Sequence, residues 1–375
     1  MLAWTSARCR RAALTFAMLN AAAAGSAQAQ SSVTLYGSLD AGVAYVNNRA
    51  GSPQAVMLQG VMQPDRIGFV GTEDLGAGWR AVFRLENGFA TNTGALMRSG
   101  TLFNRQAYVG LSSERAGTIT LGQQTAFNYD WLAPMGNGFQ SANLLAAHPG
   151  NLDELVETTS AQQSNVVKYR SPAWYGVKVG LLFGFGGVPG NFSSGRIVGA
   201  GIDYANGPFG IAAAYVNEHD RPLGAMLGDT TAGLGLSTFQ GRPALSYVAD
   251  KVENAGIGLR YDWGNVRLHA LYTMAKLRSG ARADTYRTID SGVAWQATPA
   301  NAVSGGVSTT TFIGRRYVSA TLGDVFALSK RTQVYLHAVA QQATGAADAR
   351  AAIFSIGASG TQRQVVIVAG VHHLF

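Results

Sequence analysis

Trp79-Arg80-Ala81-Val82-Phe83-Arg84-Leu85-Glu86-Asn87-Gly88-Phe89 puts Trp79, Ala81, Phe83, Leu85 and Phe89 on one side of an extended chain and Arg80, Arg84 and Glu86 on the other. Successive side chains of a β-strand point to opposite faces, so this stretch reads as a strand with one greasy and one wet side. The pattern recurs upstream, where Val33, Leu35, Leu39, Val43 and Tyr45 oppose Ser32, Thr34, Ser38 and Asp40. It recurs more weakly at the end, where Val365, Ile367, Ala369, Val371 and Phe375 share a face but Val366 and Val368 oppose them.

Such segments repeat along the chain, and we count roughly sixteen of them. Short polar links fall at 73–78, 114–116, 206–208, 262–265 and 329–332. Longer links are expected at about 125–163, 186–195, 218–252, 277–285 and 343–362. Alternating short and long connections between strands of about ten residues are the signature of an outer-membrane barrel. Many of the aromatics (Tyr36, Tyr45, Trp79, Trp174, Tyr261, Trp263, Trp295 and Phe375 among them) lie toward strand ends, the level at which rings settle among lipid headgroups. The expectation is therefore an all-β, transmembrane antiparallel barrel. A closed ring leaves no strand edge unpaired in hydrocarbon.

Composition agrees. Charged residues make up 13% of the chain, about half the usual share, and its 47 glycines argue against a mostly helical protein. Past the N-terminus no run of 18 or more predominantly apolar residues occurs, which excludes a helical bundle in the membrane. Residues 1–29 read as a cleavable secretory leader, with Arg8-Cys9-Arg10-Arg11 as the basic region, an apolar stretch at 12–24 and Ala27-Gln28-Ala29 before a cut between Ala29 and Gln30. The apolar stretch is too short for a membrane anchor. Residues 30–375 then form the barrel, with five more positive than negative charges and no cysteine, hence no disulfide or thiolate site. That excess is too weak and scattered for a nucleic-acid face.

Several stretches resemble the trimeric general porins of the Gram-negative outer membrane, most closely their β-proteobacterial branch. They are Ser32-Val33-Thr34-Leu35-Tyr36-Gly37, Asp65-Arg66-Ile67-Gly68-Phe69-Val70-Gly71-Thr72-Glu73-Asp74-Leu75-Gly76, Phe103-Asn104-Arg105-Gln106-Ala107-Tyr108-Val109-Gly110-Leu111 and Gly117-Thr118-Ile119-Thr120-Leu121-Gly122. Near the end stand Leu328-Ser329-Lys330-Arg331-Thr332-Gln333-Val334-Tyr335 and Gly370-Val371-His372-His373-Leu374-Phe375. The resemblance implies a sixteen-stranded barrel, a homotrimer with one water-filled pore per chain, and a long third loop, here about 125–163, folded into the pore. It implies a ladder of inward arginines opposite acids of that loop, carried by Arg66 and Arg105. It also implies that Phe375 is the terminal aromatic read by the barrel-assembly machinery. The remaining partners it implies are outer-membrane lipid, lipopolysaccharide, and small hydrophilic solutes and ions, with no cofactor.

Strand parity separately turns Arg66, Arg84 and Glu86 away from lipid, and does the same for Lys168 and Arg170 beyond the loop. Snorkelling or solvated turn charges are the alternative reading of these cations. Acidic candidates in the loop are Asp130, Asp153, Glu154 and Glu157. The Pro-Glu-Phe-Gly motif common in related porins is replaced by Pro134-Met135-Gly136-Asn137-Gly138-Phe139, which leaves the tip uncharged. An uncharged tip facing several cations suggests a modest anion preference.

The six histidines form no metal spacing and are expected to be solvated or interfacial. No G-x-S-x-G elbow is present, so a barrel enzyme is disfavoured. A substrate-selective porin and an adhesive barrel with a sealed lumen stay open as alternatives. The adhesive reading is weakened by inward faces rich in Ser, Thr, Gly and charge. Small lipid-side residues at Gly37, Ala41, Gly71 and Ala81 suit close contact between barrels, and equally suit ordinary strand twist.

Overall fold

In a computed structural model that describes residues 31–157, 162–223, 238–243 and 246–375, the alternating segments pair into one closed antiparallel ring. Its strands are β1 Ser32–Arg49, β2 in two runs (Ser52–Gln59 and Arg66–Gly76), β3 Trp79–Gly88, β4 Gln106–Ser113, β5 Gly117–Thr125, β6 Gln162–Arg170, β7 Val177–Gly184 and β8 Ile197–Asn206. They continue as β9 Phe209–Pro222, β10 Val248–Trp263, β11 Val266–Ser279, β12 Arg282–Thr298, β13 Asn301–Phe312, β14 Arg315–Ala327, β15 Thr332–Thr344 and β16 Arg363–Leu374. Each strand pairs with its sequence neighbours, and β1 closes the ring on β16 from Ser38↔Leu374 to Val46↔Val366. The sixteen expected strands are present. The proposed leader, with Ala29 and Gln30, lies outside the described residues.

Lipid-facing and inward positions alternate as expected. On β1, Val43 and Tyr45 are exposed while Gly42, Ala44 and Val46 are buried. Two of the expected connections are corrected. The link expected at 277–285 is a two-residue turn, because β11 runs to Ser279 and β12 begins at Arg282. Arg278 and Arg282 look like loop residues in sequence, but they lie on the strands themselves. The link expected at 218–252 likewise shrinks to residues 223–247.

The two runs of β2 pair with different halves of β1, Ala41↔Gln59 above and Ser38↔Arg66 below. Residues 60–65 between them leave the ladder, starting at Gly60 with φ +61°. The amides freed by this step are taken by carboxylates. Asp40 accepts from Met62 N at 2.5 Å and Gln63 N at 3.2 Å, and Asp65 accepts from Asp40 N at 2.6 Å. The step turns Val61 and Met62 inward, where they pack with Val46, Val366, Val368, Leu145 and Ile353. This explains the weak alternation of β16: Val366 and Val368 face inward but meet protein, not water. Burying each such side chain contributes roughly 1.5–3 kcal/mol. The expectation of a uniformly wet inner wall is thus wrong on this side.

Candidate functional site

The connection after β5 is built from short helical turns at Asn128–Leu132, Ala133–Met135, Asn137–Gln140, Leu144–Ala146 and Pro149–Asn151. It lies against inward faces of the strands. Trp131 packs over Gly201, Leu132 over Gly256 and Met135 over Gly258, so close that a Cβ there would stand 2.6, 2.7 and 2.7 Å from the loop atoms. Asn137 is seated on Gly306 in the same way, and its Nδ2 donates to Val307 O at 3.0 Å. Inward glycine, expected to mark water, is in good part room for this segment.

Near the loop's two stems, charges gather around one cavity of about 720 Å³. Glu86 on β3 accepts from Arg105 Nε and from Tyr36 OH, both at 2.6 Å, and Arg66 Nε stands 3.6 Å from it. Arg105 also pairs with the Glu157 carboxylate and donates to Glu157 O at 3.1 Å. Asp130 is clasped by Lys168 and Arg170 of β6 and accepts from Thr125 Oγ1 at 2.7 Å. Arg84 lies 5.7 Å over the Tyr36 ring, and its Nε has no hydrogen-bond partner among the described residues. All five proposed cations and three of the proposed acids (Glu86, Asp130 and Glu157) therefore line the same space.

Asp153 and Glu154 sit elsewhere. Asp153 lies 2.6 Å from His148 Nδ1 and accepts from Thr273 Oγ1 at 2.5 Å. The other ring nitrogen, Nε2, lies 3.1 Å from Asp290 of β12, which also accepts from Asn137 N at 2.8 Å. Glu154 pairs with Arg221 at 3.4 Å, beside Glu218, whose carboxylate is 2.7 Å from Arg221 Nε. Neither of these groups touches the proposed ladder. The expectation of solvated or interfacial histidines fails for four of the six: His148, His269, His337 and His372 are buried, while His219 is half-buried and His373 exposed. His148, Asp290, Arg221, Glu218 and Tyr36 are not among the site residues expected from the sequence. Parity on β12 alone would have turned Asp290 inward.

Burial and neighbours tune the loop's ionisable groups differently. Burial opposes ionisation of Asp130, but Lys168 and Arg170 outweigh it and hold the carboxyl below its ordinary range. At Glu157 burial wins over Arg105, and the carboxyl is raised. Burial, then the adjacent Glu218, pushes Glu154 well up against the pull of Arg221. At His148 burial disfavours the imidazolium, yet Asp153 and Asp290 raise it to about 10, so the ring is a cation at neutral pH.

Comparison with known proteins bears on this arrangement. Residues 13–346 match the Gram-negative porin family. An outer membrane porin protein of Bordetella pertussis is 33% identical over 230 residues, 54% of this chain and 58% of that protein, so the matched stretch spans little more than half of the relative's length. Outer membrane porin protein 32 of Delftia acidovorans is 29% identical over 334 residues, 84% of this chain and 85% of the relative. Among solved structures, an anion-selective porin from Comamonas acidovorans superposes with TM-score 0.75 at 22% identity, covering 92% of this chain and all of that one. A trimer form of OmpT from Vibrio cholerae gives 0.64 at 13% identity, over 92% and 99%.

Proposed function

Because this chain belongs to the Gram-negative porin family of outer-membrane barrels, we propose that it is a passive channel for small hydrophilic solutes and ions whose narrowest part prefers anions. The observation that carries the preference is the stem cavity. There Arg66, Arg84, Arg105, Lys168 and Arg170 face Glu86, Asp130 and Glu157. Each carboxylate is taken by a cation of the wall, the five cations exceed the three acids by two, and Arg84 makes no ion pair among the described residues. Opposed charges across a waist order water and favour polar solutes over apolar ones, while the positive excess lowers the barrier to anions. The loop segment 126–157 provides the other side of this waist. In planar bilayers under a salt gradient, the reversal potential should carry the sign of anion permeation; a cation-selective channel would refute the reading.

The same proposal takes the functional unit as a trimer, export as directed by residues 1–29 with cleavage after Ala29, and Phe375 as the assembly signal. Phe375 exchanges backbone hydrogen bonds with Gly37, at 3.0 and 3.2 Å, at the ring's closing seam. It assigns the barrel no catalysis. Mass measurement of the exported protein tests the cut: any N-terminus other than Gln30 counts against it. Migration as monomers from mild detergent without heating counts against the trimer.

A further inference from the structure

The cations around the stem cavity are not equivalent. Arg66 donates to Gln63 Oε1 at 2.8 Å and stands beside Glu86, Arg105 is held between Glu86 and Glu157, and Lys168 and Arg170 are both taken by Asp130. Among these five, Arg84 makes no hydrogen bond or ion pair with a described residue. Its Nε is covered, and the far end of the guanidinium fronts the cavity. Aromatic rings set its position. It lies 5.7 Å over the Tyr36 ring, and Tyr108 is its direct partner across the ladder to β4. Val109 is exposed on the lipid side, so Tyr108 points inward with Arg84, and both line the cavity.

The wall that faces this cation is apolar. From Trp131 to Leu152 the loop carries no Asp, Glu, Lys or Arg. Tyr129, Pro134 and Phe139 border the cavity from the loop side. The Tyr129 and Phe139 rings meet edge to face at 5.8 Å. The same loop buries Leu132, Met135, Leu144 and Leu145, yet it leaves Pro134 exposed and Phe139 37% exposed. Pro134 and Phe139 also border a second space of about 630 Å³, at the foot of β10 to β13. A solute that moves between the two spaces therefore passes this apolar edge.

Water satisfies a guanidinium but gains nothing from an apolar wall. A carboxylate mounted on a flat ring satisfies both: it accepts two parallel N–H bonds from the guanidinium, and its ring covers apolar surface and meets the aromatic edge. A second carboxylate on the same solute would find each of the other four cations already paired with an acid. We propose that this waist is a subsite for aromatic monocarboxylates, the benzoate class, with Arg84 binding the carboxylate and Phe139, beside Pro134, contacting the ring. The inference names a substrate class for the channel proposed above and rests on that reading.

The test records single channels of the full-length exported protein in planar bilayers, in potassium chloride, with benzoate, acetate, phthalate or benzyl alcohol added. Benzoate should block the current saturably, with a half-blocking concentration about tenfold below that of acetate, the gap one aromatic contact is worth. Benzyl alcohol, which has the ring without the charge, should not block, and phthalate should block no better than benzoate. Arg84→Gln should raise the half-blocking concentration of benzoate about tenfold, through loss of a charged hydrogen-bond donor. Phe139→Ala should shrink the acetate-to-benzoate ratio to about two, and Phe139→Tyr should restore it. Equal block by acetate and benzoate in the wild type overturns the subsite. So does tighter block by phthalate than by benzoate, or an unchanged ratio in Phe139→Ala. The reversal potential of the same channels keeps the two readings apart. An anion-selective wild type that does not distinguish benzoate from acetate sinks the subsite and leaves the channel reading. A cation-selective wild type sinks the anion preference, and calorimetric titration of benzoate and acetate into the same proteins in detergent micelles then decides the subsite by the same ratio.

Discussion

One loop carries two kinds of charge cluster. At its stems, Asp130 and Glu157 meet Lys168, Arg170 and Arg105 beside an open cavity. In its middle, Asp153 and Asp290 hold His148, and none of the three lines that cavity. The groups are chemically alike, but only the stem cluster keeps a cation, Arg84, without an acid of its own. A charge inside a barrel is therefore not yet a charge in the pore. What it touches, and whether water reaches it, decide between steering ions and holding a loop.

The comparison breaks first at His148. His148→Ala leaves Asp153 and Asp290 buried without their cation, which should cost about 3–5 kcal/mol. The expected result is a lower unfolding midpoint in detergent and a noisier open channel; an unchanged midpoint would show that this cluster does not anchor the loop. Titration should separate the two clusters by sign. The raised pKa of His148 makes its contribution complete below the ordinary value near 6.5 and lost as pH climbs through about 10. Asp130 is depressed, so its contribution is present above the ordinary carboxylate range and is lost only as acid passes below that range. Current noise recorded against pH should rise on the alkaline side from the middle cluster and on the acid side from the stems. In His148→Gln the alkaline rise should vanish.

Gly306→Ala probes the seat of the tip. The added methyl would overlap the Asn137 amide, and overpacking of this kind costs about 1–3 kcal/mol. Stability should fall and the permeability ratio shift as the tip moves off the wall; wild-type behaviour would mean the tip is not seated there. Arg84→Ala should have the smallest effect on stability, about 0.5–1 kcal/mol for a stacking contact at a partly wet site. Its reversal potential should nonetheless move toward zero by more than that of any middle-cluster variant that still folds. If Arg84→Ala leaves selectivity untouched, the distinction between the two clusters carries no functional meaning.

The ring was legible because alternation such as Trp79, Ala81, Phe83 and Leu85 against Arg80, Arg84 and Glu86 is local, and one face of each strand must meet lipid. The stem cluster was largely legible for the same reason: parity turns Arg84, Glu86, Lys168 and Arg170 inward. The middle cluster was not. His148 and Asp290 are 142 residues apart, and only the register of β12 against the loop brings them together. Val366 and Val368 misled because a strand's inner face was assumed wet, whereas here residues 60–65 and the loop cover it. Inward glycine was ambiguous in principle, since a missing side chain makes room for solvent or for protein alike.

The step at residues 60–65 has a mechanical consequence. Val61 O accepts from Leu144 N at 2.7 Å, so the wall grips the loop at mid-span as well as at its stems. A transmembrane voltage tugging on the loop's carboxylates acts on a beam pinned along its length, not on a flap hinged at its base. The aperture should accordingly hold its width under strong fields, and closure by voltage should demand that this central clasp let go first.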